Sequence, residues 1–236
     1  MWIRTQYGII LKYIVSLKIS GVKMNRKIGF ISSIVMSVTV SVFLICLIVS
    51  LCAQNAVTEN LSYGVCAVLS WGWVATACVY SCYADKEHSA AAKIGVAIGV
   101  IYATVISIVY FTQLTTVLHK SADEDILQLL SFTAAGSWLF NLDLLGYGFL
   151  CISTFFVGLT LQPKNIIDKA LKILLMAHGI FFVCMFVPIL PLPSTNQGSG
   201  GTVALLFWCL VFLPICILSV LHFKKLNGAD SLKENA

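Results

Sequence analysis

Few residues in the apolar stretches of this sequence have the chemistry to act, and Asp143 is the first of them. It lies in Asn141-Leu-Asp-Leu-Leu-Gly-Tyr147, the one acid inside a run that is otherwise long and apolar enough to cross a bilayer. A carboxyl in hydrocarbon is costly when ionised, so it must be protonated, paired, or turned to a polar cavity. Tyr147 lies one helical turn away on the same face, whereas Asn141 is on a different face. Such an Asp can carry a proton or a solute; it can also simply hold two helices together through a hydrogen bond. His178, in Leu174-Leu-Met-Ala-His, is the second candidate. Intramembrane Asp and His often mark proton paths. At 1.5 Å per residue, however, Asp143 is about 9 Å and His178 about 18 Å below the same boundary. Only water could link them, and the plainer reading is a histidine hydrogen-bonded inside a bundle.

Other chemistries find no footing. Of the four histidines, His88, His119 and His222 fall in loops or at a helix end, and none has a second His or a Cys at ligand spacing on its own helix. Cys78 and Cys82 share a helix face, but two thiols make an incomplete site. No metal and no cofactor are expected. Nine cysteines without a C-x-x-C pair are no disulfide framework, and read as small packing residues. There is no G-x-S-x-G, no H-E-x-x-H, no phosphate loop and no pair of intramembrane aspartates. Arginine occurs only at Arg4 and Arg26, which disfavours work on phosphate headgroups. The chain is not expected to be an enzyme; an intramembrane enzyme would need Asp143, His178 and cysteines to converge from different helices.

The elements that position these residues follow from composition. The chain is 59% hydrophobic and 11% charged, against about 25% charged in a soluble domain. A hydrocarbon core about 30 Å thick takes about 20 apolar residues in helix. Six such windows occur, at about 28–52, 62–83, 94–112, 137–161, 170–190 and 202–222. The alternating ten-residue pattern of a membrane barrel is missing. The fold class expected is therefore all-α, a polytopic membrane bundle of six helices. With six spans, every Lys and Arg except Lys120 falls on one side, while Glu59, Asp123, Glu124 and Asp125 fall on the other. The positive-inside rule then places both termini in the cytoplasm. The net charge of +5 is this orientation signal and requires no nucleic acid.

Residues 1–23 are apolar but broken by Arg4, Lys12 and Lys18. They read either as an interfacial helix with Ile10, Tyr13, Ile14 and Leu17 facing lipid, or as sequence upstream of a start at Met24-Asn-Arg-Lys27, and the second is favoured. The first apolar run is too long for a secretory signal. Connections at 53–61, 84–93, 162–169 and 191–201 are short, the last by its Pro, Gly and Ser content. The outer segment 113–136 is longer, and Ser121-Ala-Asp-Glu-Asp followed by Ile126, Leu127, Leu129, Leu130 and Phe132 predicts a short amphipathic helix at about 122–134 lying on the surface. The alternative is one tilted helix over 125–161. Three plus three spans would also suit an inverted repeat, though no repeat is visible.

Within the spans, Ala91, Gly95, Gly99, Ala103 and Ser107 recur every fourth residue and form a groove of small side chains. A neighbouring helix of the same chain is expected in that groove, with a second copy or another membrane protein as the alternative partner. Pro188 and Pro214 should kink the fifth and sixth spans. Trp71 and Trp73, in mid-span, suggest bulky packing or a cavity wall.

The stretch from Asn141-Leu-Asp-Leu-Leu-Gly-Tyr-Gly-Phe-Leu-Cys to Leu159 resembles a group of uncharacterised bacterial multi-pass membrane proteins. That resemblance implies a bacterial cytoplasmic membrane and carries no activity or site. The expectation is a protein whose partner is the lipid bilayer, structural or partner-binding in role. The alternative is a small-solute or proton-coupled carrier working through Asp143 and His178, with Tyr102 and Tyr147 around them.

Overall fold

In a bilayer no water reaches the backbone, so a spanning segment must close its hydrogen bonds internally. The computed structural model follows this rule. It describes residues 2–52, 56–132, 137–189 and 197–234, with side chains at 22–52, 56–132, 137–186, 189 and 204–226, and among these every regular element is helical. In chain order they are α1 (Trp2–Cys52), α2 (Ala56–Tyr83), α3 (Ser89–Thr112) running into a π turn (Gln113–Val117), α4 (Glu124–Leu130), α5 (Trp138–Thr160), α6 (Ile166–His178) continued by a 3-10 segment (Gly179–Ile189), and α7 (Gln197–Glu234). Six of these are long and apolar enough to cross a membrane. Each packs on its neighbours in sequence, and α7 returns to α1, so the six close into a ring. Its interior is filled from every side: Met36 of α1, Trp73 of α2, Tyr102 of α3, Leu150 of α5, Leu175 of α6 and Phe212 of α7 are all fully buried.

Several boundaries differ from the hydropathy windows, for local reasons. α1 extends back to Trp2 and α7 begins at Gln197 within Gln-Gly-Ser-Gly-Gly, a stretch whose composition reads as loop. Once a helix is nucleated each further residue adds a bond, so a long apolar helix carries its flanks along even at about 1 kcal/mol per glycine. The faces that residues 2–21 present, and residues 190–196, lie outside the described positions.

In the connection between the third and fourth spans, α4 and α5 are separate helices. Ser131 ends α4 in extended geometry (φ −78°, ψ 136°) and Ser137 caps α5 by accepting from the Phe140 N–H. A single tilted helix over 125–161 is therefore excluded. Ser137 Oγ also donates to the Leu129 carbonyl at 2.9 Å, tying the short helix to the long one. At the other end, α5 stops at Thr160, three residues before Pro163. Asn165 then caps α6 by accepting from the N–H groups of Ile167 and Asp168.

The proline expectations fare differently from one another. α7 runs unbroken through Pro214. In the fifth span, α geometry gives way to 3-10 at Gly179, nine residues before Pro188, so the proline is not where the change begins. A methyl on Gly179 would lie 2.7 Å from Phe155 Cβ, which marks that position as a close approach of α6 to α5. The side chain of Pro188 lies outside the described positions.

Candidate functional site

Asp143 stands five residues into α5, about 8 Å along it, and is only 7% exposed. Around it the ring brings together groups that are remote in sequence. Tyr110 of α3 hydrogen-bonds Tyr147 of α5, hydroxyl to hydroxyl, at 3.2 Å. Tyr147 also reaches Cys66 Sγ of α2 at 3.7 Å, and the Tyr110 hydroxyl adjoins the Asp143 carboxyl. Aromatic faces complete the walls. Tyr63 stacks on Tyr110 and on Phe132 with centroids 5.7 and 5.6 Å apart, and Trp208 meets Tyr147 edge-on at 5.2 Å. Amid all this, Oδ1 of Asp143 is buried with no hydrogen-bond partner among the described residues. Asn141, on another face of α5, is half-buried and stands apart from the cluster.

Above the cluster, the π turn matters. Its wider winding carries Gln113 inward, where Nε2 donates to the Leu130 carbonyl at 2.7 Å. This fastens the end of α3 to α4, near the Asp143 cluster. Ile126 and Leu129 of α4 stay exposed, while Leu130 and Phe132 pack inward.

His178 presents the opposite case. Its Nε2 accepts from the Trp208 indole N–H at 3.0 Å, and Nδ1 lies 2.8 Å from Thr154 Oγ1, which itself donates to the Cys151 carbonyl at 2.8 Å. An indole N–H can only donate. Nε2 therefore carries no hydrogen, Nδ1–H donates to Thr154, and the imidazole is neutral with both nitrogens used. Trp208 is the piece that touches both centres. It offers His178 its N–H and Tyr147 its ring, and a ring face passes no proton. Trp208 therefore provides no hydrogen-bonded path from His178 to the Asp143 cluster.

The small-residue stripe faces α5. A methyl on Gly95 would lie 3.0 Å from Val157 Cγ2, and one on Gly99 would lie 3.0 Å from Ser153 Oγ. Ser153 locks the contact, accepting from Trp73 Nε1 at 2.9 Å and donating to the Gly95 carbonyl at 2.6 Å. Ala103 is buried, Ala91 is half-buried, and Ser107 accepts from the Trp71 indole at 3.0 Å.

One polar pair was hidden from sequence reasoning. Asp168, expected in a loop, is in the first turn of α6 and 5% exposed. Its Oδ1 meets His222 Nδ1 of α7 at 2.8 Å, and its Oδ2 accepts from the Lys164 N–H and from Asn165 Nδ2. Both oxygens are used. Near the same end, in the α2–α3 turn, Asp85 accepts from the His88 backbone and ring, and these bonds hold its carboxyl below the usual range. Among the described residues no three of His, Cys, Asp and Glu come together in a metal-binding arrangement.

Comparison with known proteins gives no match. No family model, no curated protein and no solved structure matches the chain. The functional reading therefore rests on the molecule itself.

Proposed function

We propose that this multi-pass membrane protein binds a small solute or proton at Asp143, in the manner of a carrier, and that the rest of the bundle is the scaffold holding that site. The observation that carries the reading is the open valence at Asp143 Oδ1. Leaving a buried polar atom unpaired costs about 1–3 kcal/mol, more for a charged group. A bundle built for packing alone would do better with an apolar residue there. The other buried carboxyl, Asp168, has both oxygens engaged, so the fold has the means to satisfy such groups.

The purely structural or partner-binding reading is favoured by His178, which is fully bonded, and by the buried stripe. Both features describe the scaffold. An enzymatic role draws no support, because among the described residues no hydrogen-bonded path joins His178 to the Asp143 cluster through Trp208.

Orientation and membrane belong to the same proposal: both termini inside, in a bacterial cytoplasmic membrane. The support is the collection of basic residues at one end of the ring. There Arg26 donates to the Leu226 carbonyl at 2.7 Å, Lys172 to the Leu161 carbonyl at 3.0 Å, and Gln162 reaches Asp85 at 3.3 Å. Reporter domains fused after Ala236 and in the 113–136 segment should report opposite sides.

A hydrophobic carbodiimide tests the site. This reagent enters the bilayer, and a protonated carboxyl adds to it to give an O-acylisourea that rearranges to a stable N-acylurea. Mass spectrometry of the treated protein should find the adduct at Asp143 and little at Asp168. An unmodified Asp143 beside labelled surface acids would count against an open site.

A further inference from the structure

We propose that the Asp143 site takes up a small monovalent cation in exchange for a proton; this rests on the reading of Asp143 as a binding residue and names what it binds. The case begins with charge. The titratable side chains around the carboxyl are Tyr63 and Cys66 of α2, Tyr102 and Tyr110 of α3, Tyr147 of α5, and Cys184 of the 3-10 segment. None of these types bears a positive charge. His178, linked to the cluster through Trp208 and Tyr147, has both nitrogens committed to Trp208 and Thr154. A carboxylate in hydrocarbon thus has no resident counter-ion among the described residues, and its charge must be cancelled from outside the chain, by a proton or by a cation.

Valence follows from the same accounting. One carboxylate balances one positive charge, whereas a divalent ion would leave a net charge buried where Coulomb energies are large. The ligand chemistry agrees. Oδ1 is unpartnered, and the Tyr110 and Tyr147 hydroxyls, 3.2 Å apart, share a single hydrogen between them and keep lone pairs on both oxygens. A carboxylate with two phenolic oxygens is a set of hard donors suited to an alkali ion or ammonium. The surroundings are closed to solvent, with Tyr102, Tyr110, Leu139 and Tyr147 all buried, so a cation bound there would be stripped of its water. In the exchange the carboxyl O–H bond breaks, the proton leaves to solvent, and the cation takes its place on the carboxylate; nothing is oxidised or reduced.

The test uses full-length protein purified in mild detergent, in weakly buffered solution with a pH-sensitive dye. Sodium, potassium or ammonium chloride is added against choline chloride at constant ionic strength. At least one of the three is expected to release about one proton per chain, with a half-saturating concentration that rises about tenfold for each unit the pH is lowered. The same ion should slow carbodiimide modification of Asp143. D143N should release none, and D143E should retain release with altered affinity. If no ion releases protons beyond choline while the carbodiimide still modifies Asp143, the cation inference is overturned and the binding reading stands. If release persists undiminished in D143N, the proton comes from elsewhere and the inference is likewise overturned. Should D143N fail to elute as the wild-type species, Y110F serves instead. It is expected to weaken the effective cation at least about threefold while leaving carbodiimide labelling intact, and unchanged affinity in Y110F contradicts the site as drawn.

Discussion

Asp143 and His178 lie in the same ring of helices, both enclosed by aromatic side chains, with Trp208 touching His178 on one side and Tyr147 of the Asp143 cluster on the other, yet they are treated in opposite ways. His178 has each nitrogen matched to a partner of the right polarity, Trp208 on one side and Thr154 on the other. Asp143 has phenols and a thiol about it and an oxygen left over. The difference teaches how to tell a structural polar residue from a working one in hydrocarbon. Both are buried titratable side chains; what separates them is whether the hydrogen-bond valence closes. A closed network rigidifies the bundle, while an open one costs stability and finds its return in a ligand.

That contrast can be broken most strongly at the histidine. His178→Ala removes the acceptor of a buried indole N–H and the partner of Thr154 and leaves a cavity, so unfolding in detergent, followed by a thiol-reactive dye, should show a loss of about 3 kcal/mol or more. A loss below about 1 kcal/mol would mean the network is not structural. Next is the wall between α3 and α5. Gly95→Leu forces a side chain against Val157, whose Cγ2 and backbone N lie 3.0 and 3.2 Å from the first added carbon. Overpacking of this kind should cost about 1–3 kcal/mol by the same assay. Tyr110→Phe sharpens the contrast from the other side. It deletes one neutral hydroxyl and should change stability by about 1 kcal/mol at most, while weakening the cation competition described above.

The smallest effect is expected at the exposed turn. His88 holds the Asp85 carboxyl low, so its folded value lies below its unfolded one. The stabilisation is then complete above the ordinary carboxylate range and fades as pH falls through the lowered value. Comparing melting temperatures between about pH 6 and about pH 3, Asp85→Asn should slightly flatten the decline. An unchanged slope would show that the turn does not contribute.

The spans and Asp143 are legible in the sequence because each depends on local facts. Twenty apolar residues must be helical in a bilayer wherever they occur, and a single acid among them is conspicuous by type alone. What could not be read was satisfaction. The partners of His178 come from 24 and 30 residues away, and Trp73 meets Ser153 across 80; no periodicity within one helix records those distances. Asp168 was read as loop because a charge beside an apolar run looks like its flank, and only the return of α7 supplies His222. The 3-10 winding after Gly179 was equally silent, since Gly-Ile-Phe-Phe-Val is as apolar in one helix type as in another. The stripe from Gly95 to Ala103 declared that something packs closely, but the identity of the neighbour, α5, came from the topology.

The account turns on Asp143 being held open at a cost to the fold, and the thermal stability of Asp143→Leu and Asp143→Asn tests that most directly. Each variant should melt at or above the wild-type temperature while losing cation-induced proton release. A fall as large as that of His178→Ala would show that the carboxyl holds the bundle together, and would contradict a binding role for it.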